Sequence, residues 1–493
     1  MTKAIPTLSI GDHAVRAAHY VNGAWVDEGA TFQVFSPIDQ GMLGSMPEAS
    51  DLLVDAAVDG ALAAFPAWAA LGAEGRLPYL QRFADAIVDR AEAFAQVESH
   101  DAGVLLSRLQ HGIIPRAALN IRWFAEAALK LQDKELATHQ AHHYVRHDPA
   151  GVCAIITPWN SPLMLSTWKA GPALAAGNSV VIKPPEWAPL GCSILAQAAE
   201  AAGIPPGVFN VVHGHGPTTG ARLVANPRLS RISFTGSVPT AKIIAKVAAE
   251  NLIPCSLELG GKSPFIVLED ADLDLAAATG ALQYRNATQV CLAGTRFLVH
   301  EQVRDAFVEK MRAIVEQLVI GDPRDTATEI GPIIHPRQFE KVQGYVERAK
   351  AAGARLLWGG EPHPFGPLYY KPTMFTDVAP DAEIVQEEVF GPVLVMQTFT
   401  DDAEAVRLAN DTVYGLGGVC FGEVGHARAV AEQVRTGFIW INSFGIRDLA
   451  APFGGRGQSG IGREGGDYSF EFFSDIKDVI VPTAPFKASF AHR

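Results

Sequence analysis

Short apolar runs alternate with helical patterns through the middle of the chain. The segments "GVCAIITPW", "SVVIKPP", "VFNVVHG" and "RISFTGS" are rich in Val, Ile and Phe and predict strands. The segments "LSTWKAGPALAAG", "PLGCSILAQAAEAAG" and "TTGARLVAN" lie between them and have helical periodicity, and "VPTAKIIAKVAAEN" follows the last strand. This alternation predicts an α/β fold with a parallel sheet, which usually binds a nucleotide at the carboxyl ends of its strands.

A second alternating series begins near "PCSLELGGKSPFIVL" and ends near "GFIWINSF". We therefore place a domain boundary near residue 256. Residues 1–125 and 149–256 form the predicted nucleotide-binding domain, and residues 257–455 form a second α/β domain. The segments 126–148 and 470–493 contain strand-like runs without a partner nearby in sequence. We expect them to be arms that pair elsewhere, across the interface of a homodimer or homotetramer.

Composition narrows the class of protein. The 493 residues are 48% hydrophobic and 19% charged, with a formal charge of −13, which disfavours a nucleic-acid surface. Five scattered cysteines without C-x-x-C spacing favour a reduced, cytoplasmic protein. No signal peptide or membrane-spanning run is predicted. The histidines of "HQAHHYVRH" alternate as in a solvated strand, so we predict no metal site.

Four short segments carry polar or reactive groups. They are "TPWN" with Asn160, "LELGGKSP" with Glu258, "QVCLAGTR" with Cys291, and "QEEVFGPV" with Glu388 and Phe390. Taken singly, Asn160 is a turn or helix cap, Glu258 a strand-end carboxylate and Cys291 a buried thiol. Together, a thiol, a carboxylate and a side-chain amide form the minimum set for acyl chemistry through a thioester.

That chemistry assigns each group a task. A thiolate adds readily to an aldehyde, but free cysteine, with a pKa of about 8.5, is only a few per cent thiolate at neutral pH. The resulting oxyanion needs donors, each worth ~3–4 kcal/mol. After hydride loss, a carboxylate must position the water that hydrolyses the thioester.

These segments, with "FTGS" and "PFGGRGQSGIGRE", resemble the aldehyde dehydrogenase superfamily almost end to end. The resemblance implies a Rossmann-like NAD-binding domain, an α/β catalytic domain and a β-arm for oligomerisation. It also implies that Cys291 is the nucleophile, with Arg296 completing its motif. Glu258 then matches the general base and Asn160 the oxyanion donor.

The resemblance also implies that NAD is the cofactor. Lys183 and Glu186 match residues that hold the adenosine ribose, and an acidic group there suits NAD better than NADP. Ser237 matches the pyrophosphate contact at a helix N-terminus, and Glu388 and Phe390 match the contacts around the nicotinamide ribose. The predicted cofactor contacts are Ile156, Trp159, Lys183, Glu186, Gly216, Phe234, Gly236, Ser237, Leu259, Gly260, Glu388 and Phe390.

The chain departs from the family pattern at three places. It has "GSVPTA" where most relatives read G-S-T-E-x-G, which removes a hydroxyl and a glycine near the phosphates. Thr288 replaces a usual glycine, and we expect it to narrow the route to the thiol. Gly457, beside Arg456, stands where a lysine is common, so no role is carried over to it.

The substrate pattern is most similar to that of family members acting on hydroxymuconic semialdehydes from aromatic ring cleavage. Arg447 precedes "PFGG" in a loop that lines the substrate tunnel. It either binds a substrate carboxylate as a bidentate fork or pairs with Asp448. The predicted substrate contacts are Ser161, Leu165, Trp168, Arg447 and Phe453.

Three alternatives remain. The first is a dehydrogenase of neutral aromatic aldehydes such as benzaldehyde, vanillin or salicylaldehyde, with Arg447 paired to Asp448. The second is a CoA-acylating enzyme, which the presence of Glu258 disfavours. The third is a non-catalytic protein of the same fold, which would be expected to lose Cys291 or Glu258.

Overall fold

The computed structural model describes residues 4–131 and 133–486. Residues 487–493 of the expected C-terminal arm therefore lie outside the described residues. The strands are β1 (Thr7–Ile10), β2 (His13–Arg16), β3 (His19–Val21), β4 (Ala24–Val26), β5 (Thr31–Phe35), β6 (Met42–Pro47), β7 (Lys134–Ala137), β8 (Ala141–Pro149), β9 (Val152–Ile156), β10 (Ser179–Lys183), β11 (Phe209–Val211), β12 (Arg231–Gly236), β13 (Cys255–Leu259), β14 (Pro264–Val267), β15 (Arg296–His300), β16 (Arg355–Trp358), β17 (Thr373–Thr376), β18 (Val393–Phe399), β19 (Val419–Phe421), β20 (Trp440–Ile441), β21 (Gly460–Ile461) and β22 (Ser474–Pro482).

Helices connect and cover these strands. They are α1 (Asp51–Ala70), α2 (Gly72–Val88), α3 (Ala91–Ala102), α4 (Leu106–Arg108), α5 (Ile114–Ala128), α6 (Pro162–Ala176), α7 (Leu190–Ala201), α8 (Ala221–Val224), α9 (Val238–Glu250), α10 (Leu273–Leu282), α11 (Arg304–Val315), α12 (Pro336–Ala351), α13 (Glu383–Gln386), α14 (Asp402–Asn410), α15 (Val424–Ala431) and α16 (Gly466–Phe472). π-turns occupy Leu109–Ile113 and Gly216–Gly220, and 3₁₀ turns occupy Arg285–Thr288 and Gly457–Ser459.

The first sheet is the predicted nucleotide-binding platform. Its order is β21-β13-β12-β9-β10-β11-β3-β4, with β9 to β13 parallel. The chain builds β9, β10 and β11 in one direction and then returns to place β12 on the other side of β9. Such a reversal of strand order opens a crevice at the carboxyl ends of the two strands, where α/β proteins bind nucleotides.

The second sheet has the order β16-β17-β18-β15-β14-β19-β20 and is parallel apart from β16. It begins at Pro264, whereas β13 hydrogen-bonds only within the first sheet, to β12 and β21. The expected boundary near residue 256 therefore falls inside a strand of the first sheet. If the domains are defined by the sheet to which each strand belongs, the boundary lies between residues 259 and 264.

The two segments expected to be arms pair with each other. Strands β22, β8 and β7 form an antiparallel three-stranded sheet, in which Ser474 pairs with Pro149 and Pro482 with Ala141. His143, from the histidine group, contacts Asp478 on β22 at 2.7 Å. Strand β22 has exposed apolar side chains at Ile476, Val479, Ile480 and Val481.

Buried apolar side chains cover both faces of each large sheet. Among the described residues, α1 is the one helix long and apolar enough to cross a membrane by length and composition alone. Core helices pass the same test. Val54, Ala57, Val58 and Ala61 of α1 follow helical spacing and pack in the core cluster against the first sheet.

Candidate active site

The loop that carries Cys291 joins α10 to β15 and is held by side-chain amides. Gln289 donates to the carbonyl oxygens of Asn286 and Pro332, both at 3.1 Å, and accepts from the Ile334 N–H at 2.9 Å. Gln283 accepts from the Gly294 N–H at 2.9 Å. These bonds fix the backbone on both sides of Cys291.

Backbone strain lies just before the nucleophile. Asn286, Ala287 and Thr288 have φ values of 55°, 51° and 54° in succession, the left-handed region that disfavours side chains. Thr288 is only 1% exposed, and its hydroxyl has no hydrogen-bond partner. Such strain persists only where the surroundings hold it, and the glutamine contacts supply that restraint.

Arg296 is a structural anchor of the same region. Its buried guanidinium donates to the backbone carbonyls of Lys262 at 3.4 Å and Ala409 at 2.7 Å, and also to that of Leu408. It therefore ties the start of β15 to the loop after Glu258 and to the end of α14. The motif arginine acts on the backbone and makes no direct contact with the thiol.

Cys291 is half-buried, and all five cysteines are free thiols. Burial raises its pKa to about 12, the carboxylates of Glu388 and Glu258 add to the rise, and the guanidinium of Arg447 opposes it. The thiol without bound ligands is therefore mostly protonated at neutral pH. Its reactivity depends on the charges gathered around it.

Asn160 follows β9 and points at the nucleophile loop. Its side-chain Nδ2 donates to the carbonyl of Gln289 at 3.0 Å, two residues before Cys291. The structure therefore brings the predicted oxyanion donor and the predicted nucleophile together from two different sheets. The amide is anchored to the same segment that positions the thiol.

Glu258 lies on β13, is 4% exposed, and neither carboxyl oxygen has a hydrogen-bond partner. Burial raises its pKa well above the usual value, and the neighbouring Glu464 raises it further. Lys169, Arg463 and Arg447 act in the opposite direction. A buried carboxyl without partners is costly, and such perturbed groups are common at catalytic centres.

Glu464, by contrast, is fully paired. One carboxyl oxygen forms an ion pair with Lys169 at 2.6 Å and accepts from Ser233 and Ser256, both at 3.4 Å. Its other oxygen accepts from the indole N–H of Trp168. Sequence reasoning missed this cluster because Lys169 and Glu464 are 295 positions apart. The short sequences that contain them, "WK" and "GRE", have no spacing pattern that would predict this contact.

The predicted cofactor residues gather at the crevice of the first sheet. Ile156, Lys183 and Gly236 end β9, β10 and β12, and Phe234 lies in β12. Lys183 and Glu186 form an ion pair at 3.0 Å. Burial lowers the pKa of Lys183, and although burial would raise that of Glu186, the neighbouring lysine brings it below its usual value.

The crevice has the features that a dinucleotide requires. Ser237 caps the N-terminus of the 13-residue helix α9, whose free N–H groups favour phosphate. A Cβ at Gly236 would lie 2.4 Å from the Phe234 ring, and the region around Gly216 is open. The residues present therefore fit a dinucleotide, despite the departure of "GSVPTA" from the family pattern.

At the end of the crevice predicted to hold the nicotinamide, side chains lie close to the backbone. Trp159 packs edge-to-face on Phe390 with ring centroids 5.2 Å apart. Glu388 accepts from the Gly261 N–H at 3.0 Å, and a Cβ at Gly260 would lie 1.9 Å from its carboxylate. Leu259, which ends β13, precedes this contact. Glycine at position 260 is thus required by the approach of Glu388.

Arg447 lies in the loop between β20 and β21. Its guanidinium carbon is 3.8 Å from the ring centroid of Phe453 and 5.0 Å from that of Trp168. Burial lowers its pKa to about 10, and the neighbouring Arg116 adds to that effect. Asp448 instead accepts from the Ala450 N–H at 2.8 Å, and Arg447 has no ion pair among the described residues.

Arg116 is a second guanidinium that sequence reasoning missed. It donates to the carbonyl of Arg447 at 3.3 Å, donates to Asn120 at 3.1 Å, and lies 5.7 Å from the Trp168 ring. Burial lowers the pKa of Arg116, and Asp448 opposes that effect but lies beyond ion-pair distance. An arginine in the first turn of a helix gives no sequence signal of this position.

The remaining predicted substrate residues lie on α6 or at its start. Ser161 is buried and its hydroxyl has no partner, and Leu165, one turn later, is half-buried. Trp168 is almost fully buried between Arg447, Arg116 and Glu464. One face of α6 therefore joins the arginines to the buried acids.

One group of described residues has metal-ligand spacing, formed by Glu269, Asp402 and His426. The ring nitrogens of His426 contact Asp270 at 2.8 Å and Asp402 at 3.0 Å. These contacts raise its pKa to about 9. A protonated ring that donates from both nitrogens accounts for the arrangement.

Comparison with known proteins places this geometry in a family. The family model "Aldehyde dehydrogenase family" matches residues 25–479. The chain belongs to the aldehyde dehydrogenase family. The expected fold is confirmed, and the enzyme is an NAD-dependent aldehyde dehydrogenase.

Individual relatives of this aldehyde dehydrogenase have different named substrates. The chain is 40% identical over 480 residues to a 2-hydroxymuconic semialdehyde dehydrogenase of Pseudomonas sp. (strain CF600), covering 94% of this chain and 99% of that protein. It is 37% identical over 478 residues to a betaine aldehyde dehydrogenase of Cereibacter sphaeroides, covering 96% and 99%. An indole-3-acetaldehyde dehydrogenase solved with NAD⁺ superposes with a TM-score of 0.92 at 37% identity, covering 95% and 97%. Overall similarity does not select among these aldehydes.

Proposed function

We propose that this aldehyde dehydrogenase oxidises aldehydes that carry a carboxylate, of the hydroxymuconic semialdehyde type, to the corresponding acids. The observation that supports this substrate class is the pair Arg447 and Arg116 beside Cys291. Neither guanidinium has an ion-pair partner among the described residues. Both guanidinium groups are half-buried, where an unpaired charge is costly, and a substrate carboxylate would offset that cost.

In this proposal the reaction begins with the thiolate of Cys291, which adds to the aldehyde carbon. The side-chain amide of Asn160 and the Cys291 N–H stabilise the oxyanion, as the approach of Asn160 to the nucleophile loop suggests. Loss of hydride from the same carbon leaves a thioester on Cys291. Water then attacks the thioester carbonyl, giving the acid and restoring the thiol.

Glu258 is assigned to the water step. Its two carboxyl oxygens have no protein partner and are therefore free to accept a proton from water. The paired Glu464 has no free oxygen and holds Lys169 and Trp168 in place. Glu258 acts in its ionised form, so we expect acid release to accelerate with rising pH, because burial raises the pKa of Glu258.

NAD, when bound, supplies the hydride acceptor. We assign its adenosine ribose to Lys183 and Glu186 and its phosphates to Ser237 and the start of α9. The nicotinamide end is assigned to Trp159, Glu388 and Phe390. Ile156, Gly216, Phe234, Gly236, Leu259 and Gly260 complete the walls of the crevice in this proposal.

Arg447 is assigned to the substrate carboxylate. Stacking on Phe453 and Trp168 holds the plane of its guanidinium, so its outer edge stays available for a bidentate contact. Ser161 and Leu165 are proposed to line the same tunnel. A charged hydrogen bond of this kind contributes about 1.5–3 kcal/mol.

A second candidate, oxidation of neutral aromatic aldehydes, is favoured by one observation. The two aromatic rings around Arg447 already provide cation–π contacts, which stabilise a guanidinium by about 0.5–2 kcal/mol without a carboxylate. The arginine would then act as a flat, polarisable wall for an aromatic substrate.

The deciding experiment compares kcat/KM for 2-hydroxymuconic semialdehyde and for benzaldehyde by NADH formation. The acidic substrate should be favoured at least tenfold, the kinetic equivalent of about 1.4 kcal/mol, and Arg447→Ala should remove most of that margin. Preference for benzaldehyde would support the second candidate. Cys291→Ser should abolish NADH formation with either substrate.

Assembly and location also remain proposals. The exposed apolar side chains of β22 and its pairing with β8 support a homodimer or homotetramer formed through the three-stranded sheet. Sedimentation of the purified enzyme with and without residues 474–493 would test this. A cytoplasmic location is proposed from the scattered free thiols.

A further inference from the structure

A π-turn interrupts the helix that carries Arg116. The helical residues run from Leu106–Arg108 through the π-turn Leu109–Ile113 into Ile114–Ala128 without a break. In a straight α-helix, residues eight positions apart differ by about 80° in direction. A π-turn absorbs one extra residue, which reduces the difference between Arg108 and Arg116 to about 20°. The two arginines therefore lie on one face of the helix, roughly 11–12 Å apart along its axis.

The two arginines have different surroundings. Arg116 contacts the backbone of Arg447 and lies over Trp168, beside the reactive centre. Arg108 lines a cavity of about 750 Å³. Val290 and Ala293, which flank Cys291, also line it. The cavity therefore opens from the surface towards the nucleophile loop.

The cavity is positively charged. Its lining includes Arg108 and Arg285, with Glu329 as its one carboxylate among the described residues. Glu329 lies 3.8 Å from Arg285 and also accepts from the Val319 N–H. The side chain of Arg108 has no hydrogen bond or ion pair within the described part of the chain. One carboxylate cannot neutralise both guanidinium groups.

We propose that Arg108 and Arg285 form an outer carboxylate subsite, which captures an anionic aldehyde before it reaches Arg447 and Arg116. This inference rests on the proposed function, since it requires a substrate that carries a carboxylate. Clefts lined by one sign of charge concentrate oppositely charged ligands and raise association rates. The π-turn is the structural device that places this subsite in line with the inner pair of arginines.

The test uses two five-carbon aldehydes that differ in charge, glutaric semialdehyde and pentanal. With NAD-saturated enzyme, stopped-flow measurement gives the second-order rate constant of the NADH burst at low and high ionic strength. Arg108→Gln should lower this constant about 3–10-fold for glutaric semialdehyde at low ionic strength and weaken its salt dependence. The constant for pentanal should not change.

Two control variants separate charge from shape. Arg108→Lys keeps the charge and should retain at least half of the rate constant. Arg428→Gln removes the same charge from α15, which does not line the cavity, and should have no effect. The outer subsite would be overturned if Arg108→Gln lowered the rate constant equally for both aldehydes. It would also be overturned if Arg108→Gln left the rate constant for glutaric semialdehyde unchanged.

The same data distinguish failure of this inference from failure of the proposed function. If Arg447→Gln removes the preference for glutaric semialdehyde but Arg108→Gln leaves its capture unchanged, only the outer subsite is wrong. If the unaltered enzyme prefers pentanal, the carboxylate-bearing substrate class is itself wrong.

Discussion

Two oppositely charged regions meet at Cys291. The acidic side consists of Glu258, Glu388 and Glu464, and the basic side of Arg108, Arg116 and Arg447. The acidic side raises the pKa of the thiol, whereas Arg447 on the basic side lowers it. The carboxylates come from β13, the loop after α13 and the turn before α16, and the arginines from one helix and one loop.

The difference between the two sides lies in how their charges are satisfied. On the acidic side, Glu464 has four protein donors while Glu258 has none. On the basic side, Arg447 is held by aromatic rings and lacks a carboxylate. Each side therefore combines restrained groups with groups left free for chemistry or binding. The acidic side is suited to releasing product, and the basic side to selecting substrate.

The largest expected effect comes from removing the free acid. Glu258→Gln should lower steady-state turnover by about 10²–10⁴-fold, because Glu258 is the carboxylate assigned to activate water. A burst of NADH close to one per active site should remain, because attack by Cys291 precedes the water step. Stopped-flow absorbance measures both quantities.

The matched control for that burst is Cys291→Ser, which should show neither burst nor turnover. Loss of the burst in Glu258→Gln would contradict the division of roles, since Glu258 would then be needed before the thioester forms.

A smaller effect tests how the acidic and basic sides together set the pKa of the Cys291 thiol. Without NAD, alkylation of Cys291 by iodoacetamide should keep accelerating from pH 7 to 10, because burial and then Glu388 raise the pKa of the thiol to about 12. Arg447→Gln should slow alkylation at each pH and Glu388→Gln should speed it. Peptide mapping identifies the modified cysteine.

A plateau of that rate near pH 8 would contradict the picture, because the thiolate would then already form at neutral pH in the ligand-free site.

The smallest expected effect concerns the strained loop between the two sides. Thr288→Gly should relieve the positive φ and remove the unpartnered hydroxyl, giving a net gain of about 1 kcal/mol. In a chain of this size the thermal midpoint should rise by about 1–2 °C. Thr288→Ala removes the hydroxyl but keeps the strain, so it should gain less. A lower midpoint for Thr288→Gly than for Thr288→Ala would argue against strain at this position.

Much of the fold could be predicted from the sequence, since apolar runs such as "SVVIK" and helical patterns such as "LGCSILAQAAEA" coincide with β10 and α7. The family of the chain was likewise predictable from contiguous motifs. The sheet that β13 joins could not be predicted, because the pairing partners of a strand depend on residues distant in sequence. The boundary near residue 256 stays a prediction, although it falls inside the strand that pairs with β12 and β21.

The candidate site divides in the same way. Cys291, Glu258 and Asn160 lie in recognisable motifs, and the structure brings Asn160 to the Cys291 loop. Arg116 and Arg108 could not be predicted, because a π-turn shifts their helical register and their neighbours lie elsewhere in the chain. Trp168 was expected to line the tunnel, but its bond to Glu464 depends on a contact between residues 296 positions apart.

The most direct test of the account traps the thioester under competition. Glu258→Gln with NAD is given equal concentrations of glutaric semialdehyde and pentanal, quenched early and digested, and the mass of the Cys291 peptide is measured. We predict an acyl adduct on Cys291 that is mainly glutaryl, by about tenfold, and a loss of that excess when Arg447→Gln is added. A mainly pentanoyl adduct would contradict the role of the basic side, and an adduct on another residue would contradict the role of Cys291.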